Sequence, residues 1–442
     1  MNPALLRRDA AASLVVFLVA LPLCVGVAVA SGVPAELGLV TGIVGGLVTG
    51  AMPGSSLQVS GPAAGLTALV YEAVHTHGLP ALGLIVLSAG LIQLILGALH
   101  CGHWFRAISV AVVEGMLAGI GLVIIAGQLY AMAGADTPAG SIDKITGLPG
   151  VVGDLLTATL EPAAFCIGAG TIAVIVLWKR LPARVRVVPG ALAAVALATA
   201  AVWLLDLNVK QVEVQGLVGA IQPPGLDAFG QFGPAMVGTV LAFTLIASAE
   251  SLFSAAAVDR LHDGPRTDYD KELMAQGAGN AVCGALGALP MTAVIVRSAA
   301  NVQAGAQTKA SRILHGVWLL LFAALLPAAL ELIPIAALAG VLIHAGVKLL
   351  PVKEFAPLWR EHRGEAVILA VTALAIVTVS MFEGVLIGLA LSVVRAAWQT
   401  SHIQLDVTDK GAGPVQARLS GNATFLRLPK ILDGLESLPK TR

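Results

Sequence analysis

Apolar residues in this chain run in blocks too long for a soluble helix and too continuous for an alternating strand. A hydrocarbon core of about 30 Å takes roughly 20 apolar residues per helical span. That window places spans near 13–30, 36–52, 61–75, 80–99, 107–132, 162–179 and 187–205. It places a second set near 234–257, 269–289, 297–306, 311–331, 333–350, 365–381 and 383–399. A polar stretch rich in proline and glycine, Asp206 to Phe232, separates the two. The pattern predicts an all-α polytopic membrane protein with 14 transmembrane segments. Spans 1–7 fall in residues 1–205, an extracytoplasmic linker in 206–232, and spans 8–14 in 233–400. The first block also imitates a secretory leader, since Arg7 and Arg8 precede an apolar run that ends in Ala28-Val29-Ala30. The many spans that follow favour reading it as a retained first span.

Two segments interrupt the helical pattern at matching places in the two halves. Leu57-Gln58-Val59-Ser60 reads as a brief extended piece. Gly61-Pro62-Ala63-Ala64-Gly65-Leu66 then opens a helix, with Ser60 as its N-cap and Pro62 near the first turn. In the second half, Thr292-Ala293-Val294-Ile295-Val296 is an extended β-branched run, followed by a helix from about Arg297-Ser298-Ala299. Paired interruptions of this kind mark inverted-repeat transporters. The expectation is two inverted seven-segment repeats, each with a half-helix preceded by a short extended strand. Irregular backbone at membrane depth must be satisfied by protein or by a water-filled cavity. Half-helices meeting N-terminus to N-terminus present unpaired N–H groups and positive dipole ends, which suit an anion. Two ordinary kinked helices are the plain alternative.

Composition agrees with this picture and narrows it. Apolar residues make up 57% and charged residues 12% of the chain, against roughly 45–50% and about 25% in soluble domains. A mean hydropathy of +0.88 excludes a soluble enzyme, a disordered scaffold and a nucleic-acid binder. Lys plus Arg equals Asp plus Glu at 26 each, so no bulk field attracts a polyion. Cys24, Cys101, Cys166 and Cys283 are far apart and read as small core hydrophobes, and the 49 glycines suit close helix packing. With the N-terminus placed in the cytoplasm, the basic residues from Arg7 and Arg8 through Lys179, Arg260, Arg312 and Lys348 to Arg395 fall on the cytoplasmic side. The opposite face keeps only Lys144 and Lys210 among many carboxylates. That asymmetry obeys the positive-inside rule and predicts a multi-pass inner-membrane protein with both termini in the cytoplasm.

Two charges remain at depth. Arg297 is the one basic residue within a span, where a charge costs at least ~2.5 kcal/mol, and beside a helix N-terminus it adds to the positive potential. The plain alternative is an arginine that snorkels or pairs with Glu250. Glu250 is the second, with Ser254 one turn along on the same helical face. A buried carboxylate beside a cavity suits a coupling ion, H⁺ or Na⁺, or simply balances Arg297. Glu72 and Glu114 read as interfacial charges, His75 and His77 as solvated, and His315 and His344 as satisfied core residues. His100-Cys101-Gly102-His103 lacks a fourth ligand, so no metal is expected, and no catalytic or cofactor motif is present. Past His402, Ile403 to Val407 and Val415 to Leu419 read as strands around a turn at Lys410 to Pro414, and Phe425 to Leu438 as an amphipathic helix.

The runs Ser13 to Leu23, Val59-Ser60-Gly61-Pro62-Ala63-Ala64-Gly65, Glu250-Ser251-Leu252 and Arg297 to Gly305 resemble the sulfate permease (SulP) family over essentially all of residues 10–400. The tail, above all Leu419 to Phe425, resembles the opening of that family's cytoplasmic STAS domain, so 401–442 is expected to be a truncated STAS-like segment. The resemblance implies inverted repeats divided into core and gate domains, a homodimer, and elevator-like movement of the core. It implies an anion held by Leu23 and Val27 on span one, Ser60, Gly61 and Ala63 at span three, and Arg297, Ser298 and Ala299 at span ten. Glu250 and Ser254 on span eight would then serve the coupling ion. Ala63 and Ile295 stand where Na⁺-coupled members look to have hydroxyl ligands, which leaves H⁺, Na⁺ and exchange all open.

The leading reading is a secondary transporter of a small inorganic anion, with bicarbonate the first guess and sulfate or a dicarboxylate next. An uncoupled anion channel is the alternative. The expected partners are the lipid bilayer, a second copy of the chain and a carbonic anhydrase, with no nucleic acid.

Overall fold

The computed structural model describes residues 3–107, 109–157, 160–182, 185, 188–225, 230, 233–400, 403–408 and 416–421. Each window predicted from hydropathy holds a helix. In the first half these are α1 (Pro3–Ala30), α2 (Ala35–Val44), α3 (Thr67–His77), α4 (Leu79–Ala98), α5 (Val110–Met132), α6 (Pro162–Trp178) and α7 (Gly190–Leu204). In the second they are α8 (Pro234–Val258), α9 (Tyr269–Ala285), α10 (Ile295–Gln303), α11 (Ala310–Leu325), α12 (Ile335–Leu349), α13 (Arg363–Thr378) and α14 (Met381–Thr400). Lipid offers the backbone no partner, so apolar blocks close their hydrogen bonds internally as helices. Among the described residues, six helices are long and apolar enough to cross a membrane: α1, α4, α5, α8, α14, and α12 joined to the short helix Val352–Glu361. Shorter apolar helices include α6, α7, α11, and α2 continued by a π-helical turn at Gly45–Thr49.

The interruptions fold differently from their expected detail. Ser60–Pro62 (β1) and Met291–Ala293 (β2) form an antiparallel ribbon in which Ser60 faces Ala293, Gly61 faces Thr292 and Pro62 faces Met291. Ser60 is therefore a strand residue and not an N-cap, and its hydroxyl accepts from Gln276 Nε2 at 2.7 Å. Proline holds the residue before it extended, which keeps Gly61 in the strand. A 3-10 turn at Ala64–Leu66, capped by Ala63, leads into α3. The ribbon takes up only residues 291–293 in the second half, so α10 starts at Ile295, two residues before the predicted Arg297.

A buried polar shell satisfies this irregular backbone. Asn280 Oδ1 accepts from Met291 N at 2.7 Å while its Nδ2 donates to the Met291 carbonyl at 3.1 Å. Ser298 Oγ accepts from Val59 N at 2.9 Å, Asn301 Nδ2 donates to the Leu57 carbonyl at 2.9 Å, and Gln58 Nε2 donates to the Ser251 carbonyl at 2.9 Å. Arg312, expected on the cytoplasmic face, is 2% exposed and donates from Nη2 to the Met52 carbonyl at 2.8 Å. Glu272 is equally buried and accepts from Ser55 N at 2.8 Å. Arg297 and Glu250 are thus not the only charges in the interior, because the ribbon's loose ends need Arg312 and Glu272 as partners.

Helix packing is densest within two groups. One contains α4 against α8 and α9, and α1 against α2, α10 and α11; the other contains α5 against α12 and α13, α12 against α6, and α13 against α14. The described part of the 206–232 stretch is tied down at both edges. Val212 N donates to the Ile333 carbonyl at 3.0 Å, and the N–H groups of Gln215 and Gly216 donate to Glu36 Oε1. Ile403–Thr408 (β3) pairs antiparallel with Gln416–Gly421 (β4), Ile403 facing Gly421. The expected turn at 410–414 and helix at 425–438 lie outside the described residues.

Candidate functional site

Both half-helix starts border one cavity of about 730 Å³. Leu23 and Val27 of α1, Ala63 to Gly65 at the entrance of α3, Glu250 and Ser254 of α8, and Val294 to Arg297 at the start of α10 form one wall. The N-terminal half of α5 and the C-terminal end of α12 form the other, with Glu114, His344 and Lys348 among the lining residues. Six of the residues singled out in the sequence therefore come together: Leu23, Val27, Ala63, Glu250, Ser254 and Arg297.

The other four do not line it. Ser60 is held by Gln276, and Gly61 packs against the Arg297 guanidinium. Ser298 Oγ donates back to the Val294 carbonyl at 2.8 Å while accepting from Val59 N, so it ties the ribbon to α10. Ala299 sits within the first turns of α10 rather than at its start.

The electrostatic arrangement follows from the local fold. Val294 N donates to the Val59 carbonyl at 2.9 Å, and the chain leaves the antiparallel ribbon for α3 after Pro62 and for α10 after Ala293, so the two helices run off its opposite ends. First-turn N–H groups at such starts have no intrahelical acceptor and carry the positive end of the helix dipole. Arg297 adds a full charge. Its Nη2 donates to the Pro62 carbonyl at 3.1 Å, and its side chain is 0% exposed. Nε and Nη1 are buried with no hydrogen-bond partner. The guanidinium thus lies under the cavity floor and acts on the cavity through its field. Ion pairs among the described residues do not include Arg297 with Glu250.

Glu250 lies over the start of α3. A Cβ at Gly65 would sit 2.7 Å from Glu250 Oε1, so glycine is what lets the carboxylate rest on that backbone. Thr292 of β2 neighbours Glu250, whose Oε2 is buried with no partner. Glu250 and Ser254 line the same cavity from α8.

Gly65 and Thr292 were present in quoted runs but carried no mark of their own, because their importance lies in what packs against them. His315 and His344 depart from the satisfied-core expectation. Both ring nitrogens of His315 and Nε2 of His344 are buried without a hydrogen-bond partner. Cys24 and Cys283 are buried as expected, whereas Cys166 is exposed. Among the described residues no cluster of His, Cys, Asp and Glu has the grouping a metal needs.

Residues 6–372 match the sulfate permease family. The putative sulfate transporter YvdB of Bacillus subtilis is 28% identical over 396 residues, which cover 88% of this chain and 73% of that protein. The bicarbonate transporter BicA of Picosynechococcus sp. is 26% identical over 421 residues, 90% of this chain and 71% of that protein. Among solved structures, the transmembrane domain of a cyanobacterium bicarbonate transporter BicA gives a TM-score of 0.73 at 23% identity over 89% of this chain and 98% of that one. The murine Slc26a9 anion transporter in its inward-facing state gives 0.79 at 18% identity over 94% of this chain and 72% of that one. At these identities the structural likeness establishes the fold alone. The family and these relatives are transporters and not enzymes.

Proposed function

This chain belongs to the sulfate permease family, and we propose that it is a secondary transporter carrying a small inorganic anion across the membrane by alternating access. The observation that carries the proposal is the shared cavity, on which two half-helix starts, the field of buried Arg297 and the carboxylate of Glu250 converge. The anion binds between the starts of α3 and α10, held by first-turn N–H groups, while Leu23 and Val27 give the site its apolar wall. Arg297 sets the positive potential that offsets desolvation of the anion. Glu250, with Ser254, holds the coupling ion, H⁺ or Na⁺. Bicarbonate is the first substrate and sulfate the second, in keeping with the names of the two relatives above.

The proposal extends to architecture. The fourteen helices α1–α14 span an inner membrane as two inverted repeats, 1–205 and 233–400, joined by an extracytoplasmic linker over 206–232, with cytoplasmic termini and a STAS-like segment from 401. The group packed around α1, α4 and α9 is the moving core, and the group around α5, α12 and α13 is the gate. The protein acts as a homodimer, and a carbonic anhydrase beside it would supply bicarbonate.

The test is uptake of labelled bicarbonate and of labelled sulfate into liposomes, with Na⁺ and pH gradients imposed independently. Saturable uptake of one anion, driven by one gradient, is expected. Currents far above carrier turnover and indifferent to Glu250 substitution would instead establish an uncoupled channel.

A further inference from the structure

The half-helix α3 borders the cavity at its start and carries a second set of polar contacts near its middle. Tyr71 donates from its hydroxyl to the Thr137 carbonyl at 2.7 Å. The ammonium of Lys144 stands 4.7 Å from the centroid of the same ring, within cation–π range. Both partners belong to the segment that joins α5 to α6. Lys144 sits in the short helix Ser141–Thr146 and is 4% exposed, although its sequence position reads as a solvated loop.

Glu72 acts on Lys144, and Glu383 of α14 and Asp136 of the α5–α6 segment act on Glu72 and Tyr71 in turn. Burial pushes the Lys144 ammonium below the usual lysine range, and Glu72 opposes that shift. Without the glutamate and the ring face, a lysine this buried would have little to hold it there.

Position gives these contacts their meaning. The cavity reaches the N-terminal half of α5 and the C-terminal end of α12. Thr137 and Lys144 follow the opposite end of α5. Helix α3 packs chiefly on α4 of the first group, so these contacts bridge the two helix groups at the end of their interface that the cavity does not reach. We propose that Tyr71, with Thr137 and Lys144, forms a latch that keeps this face closed, and that the latch opens each time an anion crosses. The inference rests on the alternating-access reading above. Because α3 is a single helix of 11 residues, any rigid displacement of its anion-bearing start moves Tyr71 and Glu72 with it.

Two substitutions weaken the latch in different ways. Tyr71→Phe removes the donor and keeps the ring, and Lys144→Met removes the charge and keeps the length. Leu23→Cys, introduced after Cys24, Cys101, Cys166 and Cys283 are replaced by alanine, reports access to the cavity. Oriented vesicles are treated on one face at a time with a membrane-impermeant maleimide.

Labelling from the latch face is expected to rise about tenfold in either variant, the population shift that losing one such contact produces. Labelling from the cavity face should persist, showing that the protein remains folded, and Lys144→Arg should stay near the parent rate. Latch-face labelling unchanged in both variants, in protein still labelled from the cavity face, would overturn the latch while leaving anion exchange by the parent intact. A parent protein that exchanges no anion and never exposes Leu23→Cys on the latch face would overturn alternating access itself, and the latch with it.

Discussion

Arg297 and Glu250 differ in how they can act. The guanidinium is enclosed and held by the Pro62 carbonyl, so its contribution is a fixed charge that any anion in the cavity feels. Glu250 lines the cavity with its carboxylate packed against Gly65, so a coupling ion held there would come and go through the cavity. Glu250→Gln keeps the shape and removes the exchangeable charge. Uptake by this variant is expected to lose its response to whichever gradient, H⁺ or Na⁺, drives the parent, as measured by imposing each gradient on liposomes separately. Gly65→Ala tests the same carboxylate from the other side. The added methyl would come within 2.7 Å of Glu250 Oε1 and push the carboxylate off the start of α3, and uptake should fall severalfold while the protein still elutes as a folded species. Both charges were legible in the sequence because ionisable groups inside spans are rare. Arg312 and Glu272 were not, because hydropathy places them near span ends and only the ribbon's folding brings them inside. Thr292 was read as a β-branched strand former, since nothing local to it announces the carboxylate of a distant helix.

At the level of elements, the ribbon is the least ordinary part of the fold and depends most on side chains elsewhere. Asn280 satisfies both backbone groups of Met291. Asn280→Ala leaves a buried donor and acceptor unpaired, at about 1–3 kcal/mol for each group, and should lower the thermal midpoint in detergent while Asn280→Asp retains part of it. Interrupted segments at 57–66 and 292–301 could be found from pattern alone, but their ends could not. Pairing between β1 and β2 joins residues more than two hundred positions apart, and that pairing decides where α10 begins.

The start of α9 offers a separate check. Asp268 caps it by accepting from Lys271 N at 3.2 Å, and the Lys271 ammonium, hydrogen-bonded to the same carboxylate, holds Asp268 below the usual carboxylate range. A carboxylate lowered in the folded state stabilises above its unfolded value of about 4 and loses that effect as pH falls through its lower folded value. The protection of the Lys271 amide, its exchange measured against that of an unstructured peptide at the same pH, should therefore be greatest at neutral pH and fall as the medium is acidified below about pH 4. In Asp268→Ala that protection should be absent throughout.

For the molecule as a whole, the alternation of apolar blocks with charged loops specifies the helices and their order, and the matched interruptions locate the cavity wall formed by the first group. The opposing wall was not recognised because Glu114, His344 and Lys348 read as interfacial, core and cytoplasmic groups until α5 and α12 are packed across from α3 and α10. The division into two helix groups likewise arises from tertiary contacts that no window on the chain reports. The central claim is that an anion is carried in the cavity between them, under the field of Arg297. Initial rates of labelled bicarbonate and sulfate uptake into liposomes, compared between the parent and Arg297→Gln, test it most directly. Removing a buried charge that stabilises a bound anion by ~1.5–3 kcal/mol should lower uptake of the transported anion about ten- to a hundredfold. Rates that stay at the parent level in Arg297→Gln, in protein shown to be folded and inserted, would contradict the account.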